Sequence, residues 1–318
     1  MKAVFLDYAT VSAGDLDPQS LQRAMPQLVL HDYSLDADII ERLQGCAIVL
    51  TNKLRITAEV MAATPGLRLI ALCATGTNNV DLNAAKARGI AVCNIRDYCT
   101  PSVAQHVLGV ILALTHRLRD YSRLATDGSW AASPQFTLLS FPIRELRGRS
   151  LGIVGWGVLG QAVARICETA LGMKVLVANR LGAAATPGRL DLPDLLSQAD
   201  VLSLHCPLTP ATSGMIGAAQ LALMKRDALL VNTARGALID VQALADALRA
   251  GSIGGAAIDV LPQEPPIAGS PLFAADLPNL IVTPHTAWAA RESRQRSLDE
   301  MAANVVDFLA GGSRGRVV

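Results

Sequence analysis

The sequence predicts an α/β protein of two doubly wound parallel-sheet domains, and three observations carry that expectation. At 318 residues the chain is longer than one compact core usually fills. Short apolar runs alternate with helix-length amphipathic stretches along almost its whole length, the rhythm of βαβ units. The chain is 51% hydrophobic but only 4% aromatic. Its cores must therefore be built from Ala, Val, Leu and Ile, which suits strands covered by helices on both faces.

Taken in order, KAVFL (2–6), AIVLT (47–51), LRLIALC (67–73) and IAVCN (90–94) read as buried strands. Between them lie the amphipathic segments Pro18–Met25, Ala37–Leu43 and Leu82–Arg88, giving a first doubly wound unit over residues 1–98. Thr100-Pro101-Ser102 then opens a long apolar helix over 102–118, with Thr as N-cap and Pro at the first helical position. An irregular stretch from Asp127 to Arg149 follows, holding Trp130, Pro134 and Pro142. A second rhythm starts at SLGIVGWGVLG. It continues through KVLVANR (174–180), DVLSLHC (200–206), ALLVNTA (228–234), GAAIDVL (255–261) and LIVTPH (280–285). The segment Arg291 to Leu309 reads as one long final helix.

Charge and composition exclude several classes. A formal net charge of +1 gives no electrostatic case for nucleic acid or an anionic membrane. The N-terminus runs straight into a strand pattern containing Asp7, unlike a signal peptide. The most apolar stretch, Val107 to Leu114, is too short to span a bilayer. Cys46, Cys73, Cys93, Cys99, Cys167 and Cys206 show no CxxC pairing and read as free thiols of a reducing, cytoplasmic compartment. No His/Cys/Asp cluster has metal-ligand spacing, so no metal is expected.

The motif with the most chemistry is Gly155-Trp156-Gly157-Val158-Leu159-Gly160. Alone, G-x-G-x-x-G also fits an ordinary glycine-rich strand-helix turn. Here it follows the apolar run LGIV and precedes the helical pattern QAVARICETAL, the context of a dinucleotide fingerprint. In that reading Gly155 permits the tight turn, Gly157 lets the backbone approach a pyrophosphate, and Gly160 allows close packing. The N–H groups of the first helical turn, at Val158 and Leu159, then face the phosphates. The next strand ends in Asn179-Arg180, where an NAD site usually carries an acid for the ribose 2′-OH. A neutral side chain followed by Arg favours NADP(H) over NAD(H), unless Arg180 is simply a solvated charge.

Five histidines narrow the acid–base candidates. His285 directly follows a strand, where active-site groups of open α/β sheets collect. His106 and His116 lie within the long helix and read as packing or surface residues, and His31 sits in a loop. His205, at a strand end, suits a cofactor edge better than proton transfer. Arg235 also ends a strand, with Gly236 leaving the backbone beside it open, and Glu264 lies in the Pro-rich loop LPQEPP. Each is ambiguous alone.

Together, GWGVLG (155–160), HCPLTPAT (205–212), VNTARGALID (231–240), AIDVLPQEP (257–265) and TPHTAW (283–288) resemble the D-isomer-specific 2-hydroxyacid dehydrogenase family over nearly the whole chain. The order and spacing of Arg235, Glu264 and His285 resemble that family's catalytic set. The resemblance implies hydride transfer between NAD(P)H and a small 2-keto or D-2-hydroxy acid. Arg235 would hold the substrate carboxylate and polarise its carbonyl, and His285 would donate the proton. Glu264 would fix the imidazole tautomer and favour the charged ring, and Asp259 would bind the nicotinamide carboxamide. The N–H groups of Gly76 and Thr77 would bind carboxylate, and Ser102 and Val103 would border the nicotinamide. His205, Pro207, Thr212 and Thr233 would line the cofactor. It also implies a Rossmann-type cofactor domain over 99–286 and a flavodoxin-like substrate domain from 1–98 and 287–318, with the active cleft between them. Family members dimerise through the 121–149 stretch and the helix before it, so a homodimer is expected.

Two departures sharpen or limit this reading. Gln105 stands where many members have Glu, with no consequence derivable from the sequence. Trp288 resembles the glycerate dehydrogenase and hydroxypyruvate reductase branch, and an indole there would narrow the pocket around a short acid such as hydroxypyruvate or glyoxylate. The alternatives are a dehydrogenase for another acid, 3-phosphoglycerate included, and a nicotinamide-sensing binding protein of the corepressor type. The Arg–Glu–His set argues against the latter.

Overall fold

Eleven short aliphatic strands form two parallel sheets in the computed structural model, which describes residues 1–318. The chain divides into two units, Met1–Cys99 with Trp288–Val318, and Thr100–Ala287. In the first, β1 (Ala3–Phe5), β2 (Leu28–Leu30), β3 (Ile48–Thr51), β4 (Leu69–Leu72) and β5 (Ala91–Cys93) lie in the order β2-β1-β3-β4-β5. Alternation along each strand divides the core. Ala3, Phe5, Ile48, Leu50, Leu69 and Ala71 pack with Leu21, Leu298, Met301 and Val305 from the helices Gln19–Ala24 and Arg291–Leu309. Val4, Leu6, Val49, Ile70 and Leu72 pack on the opposite face with Ile39, Val60, Met61 and Ala85. Both faces are thus buried, which is why the strands read as continuous apolar runs.

Asp7, just past β1, is only 4% exposed. Its carboxylate accepts the N–H groups of Asn52 at 2.9 Å and Lys53 at 2.7 Å. It closes the turn after β3 at the point where the strand order reverses. The helix Arg291–Leu309 is tied to this unit by Ser293 Oγ, which donates to the Tyr98 carbonyl at 3.0 Å, and by Asn304 Nδ2, which donates to the Asn94 carbonyl at 2.9 Å.

In the second unit β6 (Ser150–Val154), β7 (Lys174–Val177), β8 (Val201–Leu204), β9 (Leu229–Asn232), β10 (Gly255–Ile258) and β11 (Leu280–Val282) lie in the order β11-β10-β9-β8-β6-β7. Leu202, Leu204, Leu230, Ala256 and Ile258 meet Leu195, Leu221, Leu244 and Leu248 on one face. The helices Thr100–Thr115 and Val158–Leu171 pack on each other, and the former also meets β9 and β10. The order reverses beside β6. The carboxyl end of β6, carrying the glycine motif, therefore opens at a topological switch point, where open α/β sheets bind ligands.

Several local expectations change. The helix expected over 102–118 starts at Thr100, and the Thr100 hydroxyl is buried without a hydrogen-bond partner, so it is no cap. The helix ends at Thr115. Arg117 adopts a left-handed φ of 51°, and a second helix runs Leu118–Thr126. β2 and the helix Ala58–Ala63 have no counterpart in the sequence reading. The latter is capped by Thr57 Oγ1, which accepts the Val60 N–H. Residues 127–149 contain neither helix nor strand. No helix is long and apolar enough to cross a membrane.

Candidate active site

The glycine motif has the shape a dinucleotide needs. Gly155 sits at φ 103°, and a Cβ there would come within 2.5 Å of the His205 carbonyl carbon. A Cβ at Gly160 would strike the Gly155 carbonyl oxygen, so helix and turn touch backbone to backbone. Gly157 differs. It caps the helix Val158–Leu171, and a Cβ there would meet nothing within 4 Å. That open approach lies against the first-turn N–H groups of Val158 and Leu159, which have no carbonyl one turn back to receive them. Thr233, just past β9, carries a buried hydroxyl without a partner, a polar atom that a bound cofactor would satisfy. These residues fit a dinucleotide.

Other cofactor candidates have protein partners already. Asn179 Nδ2 donates to Asp191 Oδ1 at 2.8 Å, and its Oδ1 accepts the Thr186 N–H at 3.0 Å. Both ends of the amide thus shape the loop after β7, while Arg180 is exposed. Thr212 Oγ1 donates to the Pro207 carbonyl at 2.8 Å and accepts the Thr209 N–H at 2.8 Å, which closes the 207–212 turn. His205 Nε2 lies 2.9 Å from Ser203 Oγ. Burial pushes its pKa down to about 4, because the charged ring is disfavoured away from water. His205 is therefore neutral near pH 7 and unsuited to donating a proton.

Arg235, Glu264 and His285 are linked through backbone. Asn232, fully buried at the end of β9, accepts the Ala234 N–H at 3.0 Å and donates to the Arg235 carbonyl at 2.9 Å. This fixes the chain on either side of the exposed guanidinium, whose Nη1 donates to the Ala234 carbonyl at 2.7 Å. Gly236 is buried rather than open. A Cβ there would collide with the Leu261 carbonyl group, so this glycine exists for close approach of two loops. Leu261 in turn donates its N–H to Glu264 Oε1 at 2.8 Å, and Glu264 Oε2 lies 2.6 Å from His285 Nδ1. With Nδ1 engaged by a carboxylate, Nε2 is the imidazole nitrogen left for proton transfer. Gly236→Ala should destabilise the fold by about 1–3 kcal/mol in urea unfolding, and it should lower turnover because the Arg235 and Glu264 loops must part.

His285 itself adopts a left-handed φ of 56°, which costs a non-glycine residue roughly 1–2 kcal/mol. Such a backbone persists only where its surroundings hold it. Asp259 supplies much of that hold. Its carbonyl accepts the His285 N–H at 2.8 Å. Its carboxylate, 1% exposed, accepts Thr283 Oγ1 at 2.5 Å and the N–H groups of Thr286 at 2.8 Å and Ala287 at 3.0 Å. Ser102 Oγ donates to the Ala287 carbonyl at 2.7 Å, and Val103 beside it is buried.

In the first unit the loop after β4 is shaped from both sides. Thr75 Oγ1 donates to the Ile95 carbonyl at 2.9 Å, and Asn94 Nδ2 to the Thr75 carbonyl at 2.7 Å. The next two residues, Gly76 and Thr77, are half-buried, and their N–H groups donate to no protein acceptor. Trp288 packs edge-on against Tyr98, with ring centroids 6.2 Å apart. Sequence reading missed His106, whose Nε2 lies 3.4 Å from Thr283 Oγ1. The signal was its spacing, one helical turn after Ser102 and on the same face.

The model of the D-isomer specific 2-hydroxyacid dehydrogenase NAD binding domain matches residues 108–287. The glycerate dehydrogenase of Methylorubrum extorquens is 49% identical over 303 residues, covering 93% of this chain and 95% of that one. The hydroxypyruvate reductase of Blautia hydrogenotrophica is 38% identical over 318 residues, covering 98% of each. A crystal structure of a Thermus thermophilus protein superposes with a TM-score of 0.87 at 37% identity, with 100% of both chains covered. A glycine-rich turn at the switch point, a Glu after β10 paired with a His after β11 and these matches along the chain lead to one assignment: the protein belongs to the D-isomer-specific 2-hydroxyacid dehydrogenase family.

Proposed function

We propose that the enzyme reduces a small 2-keto acid, hydroxypyruvate or glyoxylate, to the corresponding D-2-hydroxy acid, with NADPH favoured over NADH. The observation that carries the reading is the 2.6 Å contact of Glu264 Oε2 with His285 Nδ1, a carboxylate-oriented imidazole of the kind general acid catalysis uses. When bound, the nicotinamide supplies the hydride. His285 Nε2–H gives its proton to the carbonyl oxygen, and Arg235 holds the substrate carboxylate with its planar fork while polarising the carbonyl. Gly76 and Thr77 add backbone donors for the carboxylate. Asp259 and Val103 place the nicotinamide, and Gly155, Gly157, Val158, Leu159 and Gly160 hold the pyrophosphate. The buried Thr233 hydroxyl would find its partner on the cofactor, and His205, Pro207 and Thr212 would form the cofactor's wall. Residues 1–98 and 287–318 serve the substrate, and 99–286 the cofactor. Trp288 limits substrate length, and the short-acid names of the relatives support that choice.

Arg180 carries the cofactor preference, with Asn179 shaping the loop beside it. Arg180→Ala should lower kcat/KM with NADPH about 10- to 100-fold, the worth of one charge-assisted bond, and leave NADH almost unaffected. Equal losses with both cofactors would remove Arg180 from that role.

We also read the enzyme as a cytoplasmic homodimer. Phe136 and Leu139 are 91% and 84% exposed, with Trp130 and Ile143 nearby in sequence, an apolar set that a second copy would cover. Six free cysteines suit a reducing compartment. The activity test follows nicotinamide absorbance with NADH and NADPH against hydroxypyruvate, glyoxylate, pyruvate and phosphohydroxypyruvate. Preferred turnover of the first two with NADPH supports the reading. Preference for phosphohydroxypyruvate or for NADH would overturn the substrate or cofactor choice respectively.

A further inference from the structure

We infer that His106 is a positioning residue for His285, acting through Thr283 and Asp259; the inference rests on the reading of His285 as proton donor. The helix Thr100–Thr115 presents Ser102 and His106 one turn apart, and the two grip opposite ends of the loop that carries His285. Ser102 Oγ holds the Ala287 carbonyl at 2.7 Å. His106 Nε2 lies 3.4 Å from Thr283 Oγ1 and 4.0 Å from Asp259 Oδ1.

Proton accounting gives the direction of this chain. The Thr283 hydroxyl has one proton, and it lies on the 2.5 Å bond to Asp259 Oδ1. Thr283 Oγ1 can therefore only accept from His106, which requires a proton on His106 Nε2. Asp259, so addressed, receives the Thr286 and Ala287 N–H groups on its carboxylate and the His285 N–H on its carbonyl. Those bonds hold His285 at φ 56°, a conformation that relaxes when its supports are lost. His106 is 19% exposed at its side chain against 1% for Asp259, so the network runs from a half-buried imidazole to a sealed carboxylate. Losing the Nε2–H frees the Thr283 hydroxyl to rotate. The loop then loosens and the His285 ring is out of place in the transition state, where kcat registers it.

The test compares His106→Leu, which removes the donor, with His106→Gln, which keeps an N–H on a chain of similar reach. His106→Leu should lower kcat about tenfold, the worth of one hydrogen bond, with KM for the keto acid almost unchanged. His106→Gln should recover most of that loss. Thr283→Val should resemble His106→Leu, Thr283→Ser should retain activity, and the double variant H106L/T283V should be no slower than T283V alone. Normal kcat in His106→Leu, equal damage in His106→Gln, or additive losses in the double variant would each overturn the inference. If His106→Leu does not fold, the T283V and T283S pair decides, and equal kcat in the two overturns it. His285→Asn separates the two levels of argument. If it retains turnover, the reading of the site falls and this inference with it. If it is inactive while His106→Leu turns over normally, only the role of His106 falls.

Discussion

His285→Asn should cut kcat for keto-acid reduction about a thousandfold, within the range usual for loss of a general acid, while NADPH binding measured by fluorescence stays unchanged. Glu264 Oε2 holds Nδ1 at 2.6 Å, so one ring nitrogen is committed to a carboxylate and, in the proposed reaction, the other carries the proton. Asparagine keeps the approximate size and a hydrogen-bonding amide but carries no transferable proton near neutral pH. Glu264→Gln should give a smaller loss than His285→Asn, because the ring remains but its orienting charge is gone. His205 cannot compensate, since burial holds its pKa down at about 4. A His285→Asn enzyme with near-normal kcat would remove this residue from the chemistry and move the search to another donor.

How much of this was legible without coordinates depends on the scale of the signal. Strands buried on both faces leave long aliphatic runs, so β1, β3, β4 and β5 could be read directly. β2 could not: Leu28–Leu30 is a three-residue edge strand with Val29 43% exposed, and neither periodicity nor length marks it. The glycine motif was readable because each glycine answers a local steric demand, visible at Gly155 and Gly160 as backbone collisions that a Cβ would cause. At Gly236 the sequence suggests open backbone where the structure is crowded, for the complementary reason. Its neighbour is Leu261, far along the chain, and nothing in the adjoining residues announces that contact. The long helix failed at Arg117 because its apolar pattern runs past Thr115, while the backbone turns left-handed at φ 51°. The acid expected near the end of β7 is missing from that strand, yet Asp191 reaches Asn179 from across the loop. Linear spacing sees a motif along one segment and is blind to what another segment brings beside it.

The same contact between distant segments makes Arg235→Lys the second large-effect variant. It should lower kcat/KM for the keto acid about a thousandfold, although the charge is kept. A guanidinium offers a carboxylate two parallel N–H bonds in one plane, and each charge-assisted bond is worth about 1.5–3 kcal/mol. An ammonium on a flexible stem replaces that fork with a single mobile point charge. Position adds to the loss. Asn232 clamps the backbone on both sides of Arg235, and Gly236 seats it against Leu261, whose N–H is bound by Glu264. The guanidinium is thus indexed to the Glu264–His285 pair, and a lysine in the same clamp has no second donor in the same plane to align the carbonyl with Nε2. The loss should therefore fall on kcat as well as KM, which steady-state kinetics with hydroxypyruvate would resolve. A rise in KM alone, with kcat intact, would show Arg235 to be a carboxylate anchor that takes no part in polarising the carbonyl.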